Sequence, residues 1–414
     1  MKKVKIVYRT EQHQLKKSDP EYKFLDTLCF KSKNLYNTCL YEERQAFFQY
    51  QKSIDYNSLY HIVKNSDDYK EMISTVVAQS IIRQVATIFY SYFKAMKAYC
   101  KNPDKFLGRP QLPKYKHKEK GRNILEFNNQ AVKVKDGFIQ FPKKMNGFTI
   151  KTKAESVEQV RIIPKPERII VEIIYTKEIN TTEATDLKYI AGIDIGIDNF
   201  ATITIWNNTS KPMIINGKGL KSYNKYFNKQ LAHLKSEAMT KNNLHSTHRI
   251  QRLYQKRNNY MQNFMHQASK KTVDYLLENE VKFLVIGNNK NWKQESKLGR
   301  KTNQTFVQIP YDKYIKLLTY KAQEQGIKIY HVEESFTSGT SFLDNELPTR
   351  ELYNKKRRAH RGLFKSNTGI QLNADVNASY QLPKKVFNRL QADITQFTKQ
   401  QLHNKLEPTI INVA

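Results

Sequence analysis

The stretch Tyr189-Ile-Ala-Gly-Ile-Asp-Ile-Gly-Ile-Asp-Asn-Phe-Ala-Thr-Ile-Thr-Ile205 constrains this chain more than any other. It is an apolar run with one carboxylate, Asp194, at its middle. A turn follows around Gly196 to Asn199, and then a second run, Phe200 to Trp206, alternates in and out. This pattern predicts two buried strands joined by a tight hairpin. An ionised carboxylate inside so apolar a strand is costly unless something compensates it. Two readings stand open at this point. Asp194 is a core residue satisfied by backbone donors, or it is a metal ligand held on a rigid strand.

Charge narrows the choice of partner. Lys and Arg number 70 against 38 Asp and Glu, a net charge of +32. That excess predicts a polyanion. Aromatic residues make up 12% of the chain and are scattered among the cations, which suits nucleic acid better than a membrane surface. The 414 residues allow two or three domains, and 39% hydrophobic residues suffice for real cores. Cys29, Cys39 and Cys100 have spacings that fit neither a zinc motif nor a disulfide framework, so the expected compartment is reducing. No stretch reaches the roughly 18 apolar residues of a membrane span, and the N-terminal apolar segment is too short for a signal peptide. The expectation is a soluble cytoplasmic, nucleoid-associated protein that does not engage a membrane.

Along the chain, Lys3 to Arg9 alternates like an edge strand. Helical spacing follows over about Glu21–Lys52 and Thr75–Tyr99, the latter with a Val77, Ile81, Val85, Ile88, Tyr92, Met96 stripe. A proline-punctuated basic segment presents Arg109, Lys114 and Lys116. Short strands between Asn123 and Lys177 predict a small barrel or sandwich, with the helices inserted into it. After Asp194 come a third strand and two long basic helices, about Leu220–Thr240 and His248–Glu280. They read as a hairpin whose Arg252, Lys256 and Arg257 make a basic face, either solvated or, as the number of cations favours, tracking a nucleic-acid backbone. An apolar strand, Val281–Ile286, leads to a cationic loop with Lys293. A helix over Tyr311–Gln325 and a strand over Ile327–Val332 follow, the strand ending at Glu333 and Glu334. Leu347–Ser366 is basic and loop-like, with Arg357, Arg358 and Arg361, and Asp375 opens a helix. The tail past Pro383 carries no readable pattern.

From residue 189 onward the order of elements is that of an RNase H-type α/β fold, an antiparallel triplet extended in parallel by strand–helix units. Carboxylates on separate elements of such a sheet can hold two divalent ions for phosphodiester hydrolysis. Asp194, one of Glu333 and Glu334, and Asp375 are the candidates. With few His or Cys, oxygen donors select Mg²⁺ or Mn²⁺.

The motif Gly192-Ile-Asp-Ile-Gly-Ile-Asp-Asn-Phe-Ala-Thr202 resembles the first RuvC motif of TnpB, the transposon-encoded OrfB family related to type V CRISPR effectors. Asn303-Gln-Thr-Phe-Val-Gln-Ile-Pro310, Tyr320-Lys-Ala, Glu334-Ser-Phe-Thr-Ser338 and Asn373-Ala-Asp-Val-Asn377 resemble further family blocks in the same order. Gly108-Arg-Pro-Gln-Leu-Pro-Lys-Tyr-Lys116 resembles the family's basic segment before its β-domain. The resemblance implies an RNA-guided, Mg²⁺-dependent DNA endonuclease. Its partners would be a guide RNA from the transposon end and double-stranded DNA beside a short adjacent motif, and the protein would be a monomer or weak dimer. It divides the chain into a first wedge strand (1–12), a helical recognition domain (13–102) and a β-barrel wedge domain (103–186). A RuvC nuclease domain (187–385) and a tail (386–414) follow. Within the nuclease domain, 217–280 is a basic helical insertion and 338–370 a basic loop in place of a zinc ribbon.

Two departures bear on activity. The family's second RuvC strand ends in Glu, whereas Leu284-Val-Ile-Gly287 ends in Gly. Some members resemble this chain in carrying a Glu on the next strand instead, which implies Glu334, with Glu333 as second choice. The family also often carries a four-cysteine zinc ribbon, but no cysteine follows Cys100, so no zinc is expected there. The alternative is an RNA-guided DNA-binding repressor without cleavage. An actin-like ATPase is disfavoured by only 14 Gly and by the charge. A DDE transposase would be told apart by strand transfer of transposon ends.

Overall fold

The structure, a computed structural model, describes residues 3–181, 189–206, 210–288, 307–360, 362–388, 390 and 399–413. The chain divides into two compact units, Ile6–Glu178 and Ile179–Ala414 together with Met1–Lys5.

In the first unit, β1 (Lys3–Lys16) precedes four helices: α1 (Tyr22–Tyr50), α2 (Tyr56–Val63), α3 (Asp67–Lys70) and α4 (Thr75–Lys101). Apolar residues at helical spacing bury one face of α1, through Leu25, Cys29, Tyr36 and Leu40. In α4, Val77, Ile81, Val85 and Phe89 are buried. The expected stripe fades beyond Phe89, where Tyr92 and Met96 are only half-buried. The Ser74 hydroxyl caps α4 by accepting from the Val77 N–H at 3.3 Å. The short helices α2 and α3, absent from the sequence reading, start at Asp55 and Ser66 caps.

The strands that follow are β2 (Leu125–Asn128), β3 (Lys133–Lys135), β4 (Phe138–Gln140), β5 (Thr149–Lys151), β6 (Gln159–Lys165) and β7 (Arg168–Thr181). One sheet has the order β1-β7-β6-β2, so α1–α4 interrupt it in sequence. A small barrel or sandwich was expected, the barrel being the wedge. Among the described residues the strands form this sheet and a separate three-stranded one, β3-β4-β5. The two sheets meet through side chains, with the Phe127, Phe141 and Phe148 rings 5.3 and 5.1 Å apart in succession.

The second unit is built on β8 (Ile190–Ile195), β9 (Asn199–Ile205), β10 (Met213–Asn216), β11 (Phe283–Gly287) and β12 (Lys328–Val332). The helices α5 (Lys218–Asn242) and α6 (His248–Glu278) lie between β10 and β11, and α7 (Tyr311–Glu324) lies between β11 and β12. The predicted hairpin is present, with Asp194 opposite Thr202. β10 pairs antiparallel with β9, whereas β11 joins β8 and β12 joins β11 in parallel. Three further strands, β13 (Arg358–His360), β14 (Leu363–Lys365) and β15 (Gln371–Asn373), make an antiparallel sheet. That corrects part of the loop-like reading of 347–366. The buried Phe364 and Leu372 anchor these strands, and two such positions are too few to show a period. Helix α8 (Ala374–Lys384) packs on β8 and β9, its Ser379 hydroxyl bonding the Gly192 and Thr202 carbonyls at 2.8 and 2.9 Å. The tail forms α9 (Lys399–Leu406) and β16 (Thr409–Ile411), and β16 pairs in parallel with β10 at the sheet edge. The core between sheet and helices centres on Phe200, Phe264, Tyr311 and Tyr314.

Candidate active site

Three elements bring their carboxylates to one place. Asp194 sits on β8, Glu334 lies just past the end of β12, and Asp375 lies in the first turn of α8. All three line one cavity of about 510 Å³, with Glu333, Phe336, Tyr353 and Arg358 around them. Each has a local reason for its position. Asn373 caps α8, accepting from the Asp375 and Val376 N–H groups at 2.9 and 3.3 Å. The Asn199 amide donates to Asp375 Oδ2 at 2.8 Å, tying the hairpin turn to the helix. The turn after β12 is closed by the Thr337 hydroxyl, which donates to the Glu334 carbonyl at 2.8 Å. Buried Asn377 then pins that segment to α8 by donating to the Thr340 carbonyl at 2.7 Å.

The electrostatics are those of crowded negative charge. Burial raises the Asp194 carboxyl well above its usual range, and the Glu334 and Asp375 charges raise it further. Arg358 and the Ile195 N–H act in the opposite sense. Burial pushes Glu334 up to about 7, against the pull of Lys385. Lys385 Nζ also donates to the Ser335 hydroxyl at 2.9 Å. Asp194 is thus no core residue satisfied by backbone donors alone, because it faces two other acids.

Gly287 lies against one of the two glutamates. It pairs with Val332 across β11 and β12. A Cβ at position 287 would stand 2.6 Å from both Cγ and Oε1 of Glu334. The Glu334 side chain therefore occupies the space above Gly287, and the absence of a side chain there is what admits it. Glu333 is exposed and also lines the cavity.

Among the described residues, no three Asp, Glu, His or Cys side chains are already drawn together as a metal cage. The donor set nonetheless fits a hard divalent cation. It offers carboxylate oxygens from three rigid elements, and their mutual repulsion is relieved by added positive charge.

The basic residues singled out from the sequence fall into distinct settings. In the first unit, Arg109 and Lys114 are exposed. The Lys116 backbone is clasped from both sides by the Asn37 amide at 2.9 Å, and its ammonium lies 4.7 Å from the Tyr36 ring centroid. In the second unit, Arg252 and Lys256 are exposed on α6. Arg257 turns inward, donating to Asn224 and to the Gln308 carbonyl at 3.0 and 2.8 Å. Arg357 is engaged by Glu346 and Asn367, whereas Arg358 lines the carboxylate cavity. Lys293 and Arg361 lie outside the described residues. The sequence reading missed Asn199, Lys385, Phe336 and Tyr353 at this site. Asn199, in the turn after Asp194, was the one with a local signal.

Comparison with known proteins finds similarities along the chain. A family model described as "OrfB_IS605: Probable transposase" matches residues 170–293, which hold Asp194 and Gly287. A second, "Cas12f1-like, TNB domain", matches residues 311–382, which hold Glu334 and Asp375. The "TnpB-like protein ORF457" of Acidianus two-tailed virus is 23% identical over 425 residues, covering 91% of this chain and 86% of that protein. Among solved structures, a Cas12f1–sgRNA–target DNA complex aligns at a TM-score of 0.36 and 17% identity, over 90% of this chain and 98% of that one. A CRISPR-Cas12f ternary complex aligns at 0.37 and 14%, over 87% and 80%. The two family matches in chain order, with a viral relative aligned across most of both proteins, support a TnpB-family protein.

Proposed function

We propose that this protein is an RNA-guided DNA endonuclease of transposon origin, with a single RNase H-like (RuvC) site formed by Asp194, Glu334 and Asp375. The observation that carries the reading is the convergence of these three carboxylates, from β8, β12 and α8, on one cavity beside Arg358. The matches to the OrfB_IS605 and Cas12f1-like TNB family models support it. The net charge of +32 suits a protein that handles two nucleic acids at once.

In this mechanism Asp194 is the central acid, Glu334 faces it from just past the end of β12, on the far side of β11, and Asp375 closes the set from the helix. Together they would hold two Mg²⁺ or Mn²⁺ ions. When bound, such ions supply an acidified water and neutralise charge on the phosphate under attack. Asn199 orients Asp375 through the hydrogen bond to Oδ2. Lys385 fixes the turn that carries Glu334. Arg358 offers its guanidinium to phosphate oxygens at the cavity edge. The first unit is the proposed wedge and recognition module, its helices inserted into the β-region, with Arg109 and Lys114 presented to nucleic acid. Sequence choice rests on base pairing by the guide, and basic side chains set affinity.

The test is cleavage of a plasmid carrying a matched target by purified protein with the guide RNA from its own locus. Wild type should cut in Mg²⁺ and Asp194→Ala should not. Tight target binding with no nicked product at any metal concentration would establish the non-cleaving repressor instead.

A further inference from the structure

We propose that Phe336 and Tyr353 form an aromatic platform at the rim of the carboxylate cavity. On it an unpaired nucleobase of the strand being cut stacks, which sets the adjoining phosphate over Asp194, Glu334 and Asp375. The inference rests on the nuclease reading and adds a positioning device to it.

Both rings line the same cavity as the three acids. They are large apolar side chains left in the open, 36% and 38% exposed. Their centroids are 5.9 Å apart with the planes at 71°, so the rings wall a corner rather than cover each other. Phe336 has φ 67°, in the left-handed region that a bulky aromatic residue rarely enters. Strain of this kind persists where the surroundings enforce it, and it gathers at ligand clamps. Here the surroundings do enforce it. The Thr340 hydroxyl donates to the Phe336 carbonyl at 2.9 Å, and Lys385 holds the preceding Ser335. The turn that sets Glu334 over Gly287 therefore also sets the Phe336 ring.

Tyr353 is placed as deliberately. Its ring lies on bare backbone at Gly339, where a Cβ would come within 2.5 Å of Cε2 and 2.6 Å of Cδ2. The Asn354 N–H donates to the Gly339 carbonyl at 3.0 Å, closing that contact. Two exposed rings, each fixed by its own backbone device and both beside a phosphate-directed acid cluster and Arg358, match the chemistry of single-stranded DNA. Every base offers a π-face, so such stacking is tolerant of sequence. A base paired in duplex has no free face to give, which makes an unwound strand the ligand.

The experiment uses the full chain with its guide RNA and a matched target whose displaced strand carries 2-aminopurine at successive positions. Ca²⁺ replaces Mg²⁺ for the binding measurement. Wild type and Phe336→Trp should quench the fluorescence at one position beside the cut. Phe336→Gly, which relaxes the backbone while removing the ring, and Tyr353→Ala should each raise the concentration for half-quenching about tenfold. In Mg²⁺ the same two variants should raise KM by about as much, with kcat changed by no more than about twofold. Normal wild-type cleavage with quenching that ignores both rings overturns the platform and leaves the nuclease reading intact. Ring-dependent quenching by a wild-type protein that never cuts keeps the platform and overturns the nuclease reading.

Discussion

At the scale of single residues, Gly287 and Glu334 act as one unit. Gly287→Ala would drive a methyl into the glutamate, 2.6 Å from Cγ and Oε1. Because a misplacement of about 1 Å costs roughly a hundredfold in rate, cleavage should fall by about that factor with the fold retained. Gly287→Glu combined with Glu334→Ala should recover part of the lost rate that neither single variant shows, as measured in single-turnover assays. In the same assay Glu334→Gln should abolish cutting, and Glu333→Gln should leave most of it. A second prediction concerns Lys384. It is 2% exposed, and its ammonium lies 5.5 Å from the Trp206 ring centroid. Burial holds it down to about 8, with Glu346 pulling the other way. A lysine whose folded pKa lies below its unfolded one destabilises the fold while protonated. That penalty fades as pH climbs from about 8 toward the ordinary lysine value near 10.5. Lys384→Met should therefore raise Tm at about pH 7 and lose that gain by about pH 10. Equal gains at both pH values would contradict this account.

Among the elements, the C-terminal strand is the piece least expected from the sequence and the easiest to test. β16 pairs with β10 through Met213–Thr409, Ile214–Ile410 and Ile215–Ile411. α9 buries Leu402 and Leu406 in a cluster with Phe342 and Tyr380. Ending the chain before Lys399 removes both and leaves β10 as an open edge, a ready template for pairing with another chain. Tm should fall by several degrees and light scattering should rise on warming. An unchanged melting curve would mean that β16 contributes nothing. Long periodic helices such as α1, α4, α5 and α6 were legible because their apolar spacing repeats over many turns. The strands β13–β15 were not, because three residues give no period, and here charged residues mask the two buried anchors, Phe364 and Leu372.

For the whole molecule, the net charge of +32 should set the affinity for the proposed nucleic-acid partners. RNA binding should weaken by about a thousandfold or more between roughly 50 and 200 mM salt, as expected when several phosphates are neutralised. Fluorescence anisotropy across that range checks it, and a flat response would remove the electrostatic reading of the α5–α6 hairpin. By itself the sequence predicted a polyanionic partner and determined the Asp194 hairpin and Asp375 at a helix start, because each is carried by composition or by a local period. It also narrowed the third acid to two neighbours, Glu333 and Glu334. Only the tertiary structure sets them apart, by showing that the space at Gly287 is filled by the side chain of Glu334. The reason is physical. β11 and β12 are adjacent in the sheet but separated in the chain by α7, and no pattern within either strand records what the side chain of the other occupies.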